Sequence, residues 1–457
     1  MDHTAPDLIR RADIEYVLES VANARCCSIV GVSNMGKSHL LRVMSAPGTL
    51  NRVLGNRAGQ FLFVYIDFNL MLNVSEQGFY ELIMRSILAE LEAAHLRDLS
   101  TRVRQAYQGV IAPTIPLAVS LSFLDGLTVV MTSLKRRLVL LCDAFNEPFA
   151  ALDGRVFLNL RGLKDRYPQD ICYVTVTEQR LRHMRQDHSA FEFAELFDHN
   201  THFLRPLERS EALLLIDEIA TAQGIQFTPQ ETDFAWTQAG GHPGLLEVVC
   251  QTLAEARQMR LDSMAGDQAL KRVRELLDND PNVRAECAEL WNDLSDPERQ
   301  NLVTSLDGIA ANGSDESWRA LSERGVLIPS DDGTARVFGQ LFRDFAYRQK
   351  MINQRNIRGL RIDVEAGEVR VDGKPVRDLT DQEYRLLLLL YGNIDRTCDK
   401  YKIVQAVWSE AFIDEVDDAR IEKLISRVRQ KIEPDANEPK FLLTVRGRGY
   451  KLSSHQE

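Results

Sequence analysis

The sequence predicts a multidomain protein that combines an α/β domain with α and α+β parts. Its length of 457 residues suggests about three domains at roughly 150 residues each. Over residues 1–205, short apolar runs alternate with amphipathic helical stretches, which predicts a parallel sheet flanked by helices. After a polar stretch that ends near residue 358, period-two alternation of apolar and polar residues predicts a separate, β-led domain.

Composition and charge indicate a folded protein with one locally basic segment. Apolar residues make up 44% and charged residues 26% of the chain, which is typical of globular proteins and argues against wholesale disorder. The net charge of −11 argues against a protein that coats nucleic acid non-specifically. Residues 419–451, however, contain nine basic and four acidic residues. Such a patch can still meet phosphate, because the Debye length is only about 8 Å at physiological salt.

The chain shows no sign of membrane insertion or secretion, so we expect a cytoplasmic protein. Its most apolar stretch, residues 117–131, is broken by Ser120, Ser122 and Asp125, whereas a membrane helix needs about 18 apolar residues. The N-terminus lacks the basic-then-apolar order of a secretory signal. The seven cysteines include no C-x-x-C pair, which argues against a disulfide framework and against a structural zinc site.

Four segments are expected from the order of patterns along the chain. Residues 1–205 predict the sheet domain, and residues 206–280 predict a helical subdomain. Residues 281–350 place short helices before two apolar runs joined by Ser330-Asp-Asp-Gly, which predicts a small winged-helix module. Residues 357–454 predict the β-led domain. The apolar runs expected as strands of the first segment are Cys27–Val30, Phe61–Ile66, Leu138–Cys142 and Ile171–Val176.

A glycine-rich loop directly follows the first apolar run. The sequence Gly31-Val-Ser-Asn-Met-Gly36-Lys37-Ser38 has the G-x-x-x-x-G-K-S spacing and precedes a helical stretch that begins at His39. In such a P-loop, backbone N–H groups and a helix N-terminus surround phosphate oxygens. The lysine reaches the β/γ-phosphates, and the serine hydroxyl coordinates Mg²⁺. We therefore predict an ATP or ADP site that includes Gly31, Asn34, Met35, Gly36, Lys37, Ser38 and His39.

A second apolar run ends in an acidic residue. Residues 136–143 read Arg-Arg-Leu-Val-Leu-Leu-Cys-Asp and place Asp143 at the end of a predicted strand. A Walker B element has this form, and its aspartate holds the magnesium ion of the nucleotide. We predict that Ser38 and Asp143 are the Mg²⁺ ligands. The alternative is that Asp143 is an ordinary acidic residue in the loop after a strand.

These motifs together resemble the STAND class of P-loop NTPases, which has an AAA+-like core, over residues 9–349. Ile9-Arg-Arg11-Ala-Asp resembles the hydrophobic-Gly-Arg element near adenine, with Arg10 where glycine is usual. The strand at residues 171–177 and the Arg180 that follows it resemble the sensor strand and its arginine. Gly240-Gly-His-Pro243-Gly resembles the G-x-P signature. The resemblance implies that Arg11, Arg180 and Pro243 contact the nucleotide.

Two departures from this class concern hydrolysis and the closed state. An efficient ATPase of the class usually carries an acidic residue directly after the Walker B aspartate, and this chain has Ala144 there. Glu147 is the candidate to orient the attacking water, beside Asp143 as the other catalytic candidate. We expect slow or absent hydrolysis. The histidine that contacts the ADP phosphate in some relatives has no counterpart in residues 284–350.

The C-terminal segment predicts a helix that is buried on one side and basic on the other. Within residues 419–432, apolar residues recur on one face, while Lys423, Arg427 and Gln430 lie opposite. Such a helix can enter a major groove, where arginine reads guanine and lysine or arginine grips phosphate. The turn Arg446-Gly-Arg-Gly predicts a wing. Earlier in the segment, Thr380 and Glu383 form a capping box that predicts a helix start.

These features resemble the OmpR/PhoB-type winged-helix DNA-binding domain over residues 359–453, and they make double-stranded DNA the predicted partner. The resemblance rests on the capping box, on residues 417–432 and on the final motif Thr444-Val-Arg446-Gly-Arg-Gly-Tyr450. It implies recognition-helix contacts from Arg427 and Arg429. The alternative is a solvated basic helix face. The predicted DNA-binding residues are Arg420, Lys423, Arg427, Arg429, Lys431, Arg446, Arg448 and Lys451.

Three functional hypotheses follow. The first is an ATP/ADP-switched transcription regulator in which ATP drives homo-oligomerisation and presents several DNA readers, with RNA polymerase or a signal-giving protein as a further partner. The second is an AAA+-type ATPase of DNA remodelling or transposition, and Ala144 favours the switch over this enzyme. The third is a STAND defence or signalling scaffold whose terminal winged helix binds protein. Arg427 and Arg446 favour DNA over that scaffold.

Overall fold

The structure, a computed structural model, describes residues 8–453 except 186, 259–265, 307–314, 330–333, 358–359, 364–367, 395 and 409–415. The predicted turn Ser330-Asp-Asp-Gly lies outside the described residues. The chain divides into two units, Met1–Ala346 and Tyr347–Glu457. Each unit is described by itself.

A parallel sheet forms the centre of the first unit. Its strands are β1 (Cys27–Val30), β2 (Phe61–Asp67), β3 (Arg137–Asp143), β4 (Ile171–Thr177) and β5 (Thr201–Phe203), in the order β2-β3-β4-β1-β5. The strand that leads into the P-loop therefore lies between β4 and β5. The four expected strands are confirmed, with ends that differ by at most one residue. Strand β5 was not predicted, because it is a three-residue edge strand whose residues are only half-buried.

Alternate strand residues face opposite sides of this sheet and enter two separate apolar cores. Phe63 and Val139 belong to one core, whereas their neighbours Val64 and Leu140 belong to the other. Because both faces are covered, the inner strands are mostly apolar on both sides, with Ser28, Thr175 and Thr177 as buried polar exceptions.

Helices cover both faces of the sheet. They are α1 (Arg11–Ala22), α2 (Lys37–Ser45), α3 (Pro47–Leu54), α4 (Glu76–Ala93), α5 (Arg97–Ile111), α6 (Leu117–Ser133), α7 (Asn146–Ala151), α8 (Gly154–Arg166), α9 (Leu181–Met184) and α10 (His188–Ala194). The apolar stretch at residues 117–131 belongs to α6. This helix packs against α4 and α5, and all three follow β2 and precede β3 in the sequence. Among the described helices, none has both the length and the apolar character that a bilayer crossing requires.

The rest of the first unit is mostly helical. It comprises α11 (Arg209–Ala222), α12 (Pro229–Ala239), α13 (Pro243–Gln258), α14 (Gly266–Asn279), α15 (Pro281–Asn292), α16 (Asp296–Ser305), α17 (Glu316–Glu323), the antiparallel hairpin β6 (Leu327–Pro329) and β7 (Ala335–Val337), and α18 (Gln340–Ile357), which continues past residue 346. Val174, Leu246 and Phe342, one from each predicted segment, belong to one core. The division of this unit near residues 205 and 280 therefore stays a prediction.

The second unit has the order of elements of a winged helix. Its elements are the sheet strands β8 (Leu360–Asp363), β9 (Glu368–Val371) and β10 (Lys374–Pro375), the helices α19 (Asp381–Gly392), α20 (Lys400–Trp408) and α21 (Asp418–Ile432), and the hairpin β11 (Leu442–Val445) and β12 (Gly449–Leu452). The three helices share one apolar core. The capping box of Thr380 and Glu383 is present at the start of α19 and confirms that prediction.

Candidate nucleotide site and DNA-contact surface

The P-loop joins β1 to α2, and its geometry needs glycine at two positions. Gly36 has a φ of 85°, a left-handed conformation that glycine adopts without steric cost. A Cβ atom on Gly31 would lie 3.0 Å from the carbonyl oxygen of Leu204. The Lys37 ammonium donates hydrogen bonds to the carbonyl oxygens of Gly31 (2.7 Å) and Val32 (2.9 Å). The lysine is thus held inside the loop.

A cavity of about 820 Å³ opens beside the P-loop. This volume lies within the usual range for small-molecule sites. Leu215 and Ile219 of α11 contribute an apolar wall. The predicted residues that line the cavity are Asn34, Gly36, Lys37, Ser38, His39, Asp143, Glu147 and Pro243. Both Walker elements and the G-x-P proline are therefore brought together at one cavity.

Asp143 is a buried carboxylate, only 4% exposed. Its Oδ2 accepts a hydrogen bond from the Tyr65 hydroxyl (2.6 Å), and its Oδ1 accepts one from the backbone N–H of Ala144 (3.0 Å). Burial and the hydrogen bond to Asp143 raise the pKa of Tyr65, which keeps the phenol a donor. In the described part of the chain, no basic side chain forms an ion pair with Asp143. A buried anion without a paired cation, together with the Ser38 hydroxyl, offers the hard oxygen ligands that Mg²⁺ prefers.

The residues after Asp143 bear on hydrolysis. Ala144 has a φ of 53°, which is uncommon for a residue with a Cβ, and its methyl group cannot orient water. Glu147 lies in the first turn of α7, is exposed and lines the cavity. Its carboxylate is therefore accessible from the cavity.

Four residues of the predicted nucleotide site do not line the cavity: Gly31, which lies at the start of the loop, and Arg11, Met35 and Arg180. Arg11 is exposed and forms an ion pair with Glu15 (2.7 Å). Met35 is fully buried in the core. Arg180 forms an ion pair with Glu323 (3.2 Å), and its guanidinium carbon lies 4.7 Å from the centre of the Phe203 ring.

Arg10, rather than the predicted Arg11, contacts the P-loop. It adopts the left-handed conformation, with a φ of 64°. Its guanidinium is buried and donates hydrogen bonds to the Met35 carbonyl oxygen (2.9 Å) and to Asp13 (3.2 Å). The departure from the family motif is the signal that could have identified this residue.

Carboxylates of α15 and of the residue that follows it form hydrogen bonds with the P-loop. Asp293 accepts hydrogen bonds from the Ser33 backbone N–H (2.5 Å) and from the Ser33 hydroxyl (3.1 Å). The Asn34 amide donates to Glu286 (3.0 Å) and to Glu289 (2.9 Å). The sequence analysis did not identify these acids. They lie about 250 residues from the loop, and nothing in their local sequence indicates the contact.

The G-x-P segment packs on the same loop through His242. Its Nε2 lies 2.9 Å from the Ser33 carbonyl oxygen, and its Nδ1 accepts a hydrogen bond from the Leu245 N–H (3.2 Å). These partners require a neutral ring that is protonated on Nε2, and burial lowers the pKa of His242 to about 4. Gly244 lies so close that a Cβ atom there would be 2.5 Å from a Glu286 oxygen.

A buried arginine joins residues 281–350 to the end of β4. Arg324 is 2% exposed and forms an ion pair with Glu298. Its Nη1 also donates to the carbonyl oxygens of Glu178 (3.3 Å) and Asp293 (3.4 Å). Glu178 directly follows β4, and its carboxylate lies 3.6 Å from the Lys37 ammonium. Burial raises the pKa of Glu178 and lowers that of Lys37.

The second unit exposes part of the predicted DNA-binding set. Arg420, Lys423 and Arg427 are exposed on α21, while Ile421, Leu424, Ile425, Val428 and Ile432 are buried, which confirms the two-faced helix. Arg446 and Arg448 are exposed in the turn between β11 and β12, and Lys451 is half-buried.

Arg429 and Lys431 are bound within the second unit. Arg429 donates to the Leu442 carbonyl oxygen (2.7 Å) and to the Thr444 hydroxyl (2.8 Å). Lys431 donates to Glu383 (2.6 Å) and to the Asp378 carbonyl oxygen (2.5 Å). These two residues tie α21 to the hairpin and to the start of α19, and they do not lie on the exposed basic face.

Two family models match the chain. One, described as novel STAND NTPase 1, matches residues 9–347, which is well over half of the chain. The other, described as transcriptional regulatory protein, C terminal, matches residues 373–452. These matches confirm both resemblances that the sequence motifs predicted.

Curated relatives and solved structures align with parts of the chain. The response regulator ArlR of Staphylococcus saprophyticus is 38% identical over 157 residues, which are 33% of this chain and 68% of ArlR. The transcriptional regulatory protein YcbL of Bacillus subtilis is 34% identical over 122 residues, 26% of this chain and 53% of YcbL. The chain thus spans about half to two thirds of these relatives. A Walker-type ATPase of Pyrococcus abyssi is 12% identical, with a TM-score of 0.46, over 75% of this chain and 96% of that structure.

Proposed function

The chain belongs to the novel STAND NTPase 1 family, and from this premise we propose that it is an ATP/ADP-switched transcription regulator that binds double-stranded DNA through its C-terminal winged helix. One observation supports the switch above all: Asp293, from the predicted winged-helix segment at residues 281–350, hydrogen-bonds to the P-loop at Ser33. A ligand that binds the loop differently in two arrangements of this segment shifts the equilibrium between them.

The proposed ligand is ATP or ADP with Mg²⁺. The P-loop N–H groups and Lys37 would hold the phosphates, and Ser38 and Asp143 would hold the metal ion. The ion, when bound, neutralises phosphate charge and compensates the buried Asp143 carboxylate. The wall formed by Leu215, Ile219 and Pro243 offers an apolar surface for the base. The cavity thereby provides each class of contact that a nucleotide needs.

Hydrolysis is proposed to be slow and to serve as a reset of the switch. Ala144 supplies no group that can polarise water, and Glu147, which lines the cavity shortly after Asp143, is the proposed base. We expect turnover below the roughly 1 s⁻¹ that marks the low end of typical enzymes. A faster ATPase that loses its activity in Glu147→Ala would favour the AAA+-type enzyme instead.

The proposed DNA surface consists of the exposed face of α21 and the turn of the last hairpin. Arg427 is the candidate for guanine readout in the major groove, because a guanidinium pairs with two acceptors of that base. Arg420, Lys423, Arg446 and Arg448 are candidates for phosphate contacts that fix the register. Arg429 and Lys431 support this surface through their contacts inside the unit.

Self-association is the proposed link between the nucleotide and DNA. One winged-helix domain binds DNA weakly, whereas several such domains joined in an oligomer bind at a high effective concentration. ATP-dependent homo-oligomers would therefore bind a promoter with several sites more tightly than single chains. RNA polymerase and a signal-giving protein are the further partners in this proposal, which places the protein in the cytoplasm.

The nucleotide site is tested by measuring the affinity of the full-length protein for Mg²⁺·ADP and for a magnesium-bound non-hydrolysable ATP analogue. Lys37→Ala should weaken binding at least roughly tenfold, because it removes the side-chain cation that meets the β/γ-phosphates. Lys135→Ala removes an exposed lysine elsewhere and should leave binding unchanged. Equal affinities of wild type and Lys37→Ala would contradict the proposed site.

A further inference from the structure

Two carboxylates lie beside the lysine that would meet the nucleotide phosphates. The Glu178 carboxylate is 3.6 Å from the Lys37 ammonium. Asp293 occupies the N–H and the hydroxyl of Ser33 on the same loop. The charges of both acids act on Lys37. A nucleotide that enters this loop therefore meets anions next to its phosphates.

The Glu178 carboxylate lies near the Lys37 donor that the P-loop carbonyl oxygens leave without a partner. An ammonium group has three donors, and two of them are directed at the carbonyl oxygens of Gly31 and Val32. The remaining direction is the one in which a P-loop lysine reaches the β/γ-phosphates. The Glu178 carboxylate therefore lies beside the position that a γ-phosphate would approach, whereas the β-phosphate is cradled by the loop itself.

One buried guanidinium fixes both acidic residues. Arg324 donates to the backbone carbonyl oxygens of Glu178 and Asp293, and its ion pair with Glu298 holds it in place. Because Arg324 belongs to residues 281–350, a movement of the Glu178 backbone changes a contact made by that segment. The charge beside the phosphates is thus coupled to the part of the chain that the proposed switch would move.

We propose that Glu178, assisted by Asp293, makes the site in this arrangement prefer a nucleoside diphosphate over a triphosphate, and that Arg324 is the positioning residue that couples this preference to residues 281–350. The inference rests on the proposed nucleotide site and assigns its ligand class. A like charge within several ångströms of the γ-phosphate, partly shielded by Lys37 and Mg²⁺, is expected to change relative affinity on the order of tenfold.

The test measures the affinities of the full-length protein for Mg²⁺·ADP and for a magnesium-bound non-hydrolysable ATP analogue and follows their ratio. Glu178→Gln keeps the side-chain shape and removes the charge, so the ratio should shift roughly tenfold toward the triphosphate. Glu247→Gln is the matched control, because Glu247 lines the same cavity and is exposed. It should shift the ratio less than about twofold, since its charge is more strongly screened.

A second variant tests the positioning role. Arg324→Lys retains a positive charge near Glu298 but lacks Nη1, the single nitrogen that donates to both carbonyl groups while Nη2 pairs with Glu298. The ratio should shift in the same direction as in Glu178→Gln, whereas a merely structural role would lower stability and leave the ratio unchanged.

The outcomes separate this inference from the proposed function. An unchanged ratio in Glu178→Gln, or an equal shift in Glu247→Gln, would overturn the inference while nucleotide binding stands. Failure of wild-type protein to bind either nucleotide would overturn the proposed function and the inference with it.

Discussion

Residues 281–350 and residues 357–454 both place helices before an antiparallel hairpin, yet they direct their charged groups in opposite ways. In the first segment, Asp293 contacts the P-loop, and Arg324 is buried where it joins that segment to the end of β4. In the second, Arg420, Lys423 and Arg427 are exposed on α21. One order of elements is thus used once for contacts within the chain and once as an open basic surface.

The difference teaches that exposure of charge, and not the order of elements, distinguishes the segment proposed to be regulatory from the proposed DNA-binding surface. The acids near the end of α15 already have hydrogen-bond donors on the P-loop, so they are not free for an outside partner. The exposed cations of α21 have room to meet phosphate. The predictions below test each side of this comparison, in order of expected effect.

The largest effect is expected at Arg324, in residues 281–350, whose charged groups make contacts within the chain. Arg324→Ala leaves Glu298 buried and without its ion-pair partner, which should lower the free energy of unfolding of the first unit by about 3–5 kcal/mol. Chemical denaturation monitored by hydrogen exchange would resolve the two units. Arg319→Ala, at an exposed position of α17, is the control and should cost no more than about 0.5 kcal/mol. Equal free energies of unfolding for Arg324→Ala and Arg319→Ala would show that Arg324 does not stabilise the first unit.

The next effect is a difference in acid sensitivity between the units. His242 is neutral in the fold with a pKa of about 4, whereas in the unfolded chain it takes up a proton below about pH 6.5. Its contribution is therefore complete above pH 6.5 and falls by about 1.4 kcal/mol per pH unit, to a loss of about 3 kcal/mol at pH 4.

The described part of the second unit, up to residue 453, contains no histidine, so this source of acid sensitivity is absent from it. Hydrogen exchange of both units from pH 7 to pH 4 would measure the contrast. In His242→Gln the pH dependence of the first unit should become shallower. If that variant keeps the full wild-type slope, other groups cause the acid sensitivity.

A smaller effect, about 1–3 kcal/mol in DNA affinity, is expected for Arg427→Ala, because an exposed guanidinium that pairs with guanine is lost. Thermal unfolding should not change. Arg429→Ala is the matched comparison on the same helix. It should destabilise the second unit, since the guanidinium donates to Leu442 and Thr444. Full DNA affinity in Arg427→Ala would show that α21 does not read bases through this residue.

The sequence predicts those parts of the fold and site in which the cause is local. Gly31 to Ser38 form one continuous loop between a strand and a helix, so spacing alone predicts their arrangement. The buried face of α21 follows from helical periodicity. The capping box at Thr380 depends on residues three positions apart.

The parts that the sequence does not predict depend on partners far along the chain. Arg427 and Arg429 look alike in a basic stretch, and only the position of Leu442 shows that Arg429 is engaged inside the unit. Likewise, the contact of Asp293 with Ser33 joins residues 260 positions apart. Arg10 could more easily have been predicted, since the motif that this segment resembles has glycine there and Arg10 has a left-handed backbone.

The central claim is that nucleotide binding in the first unit controls DNA binding by the second. It is tested most directly by the affinity of the full-length protein for double-stranded DNA that carries several copies of its selected site, measured with a non-hydrolysable ATP analogue, with ADP and without nucleotide. We expect tighter binding with the ATP analogue than with ADP, because several joined DNA-binding domains act at a high effective concentration, and we expect Lys37→Ala to lose that difference. Equal affinity under all three conditions would contradict the switch, even if the DNA contacts themselves are correct.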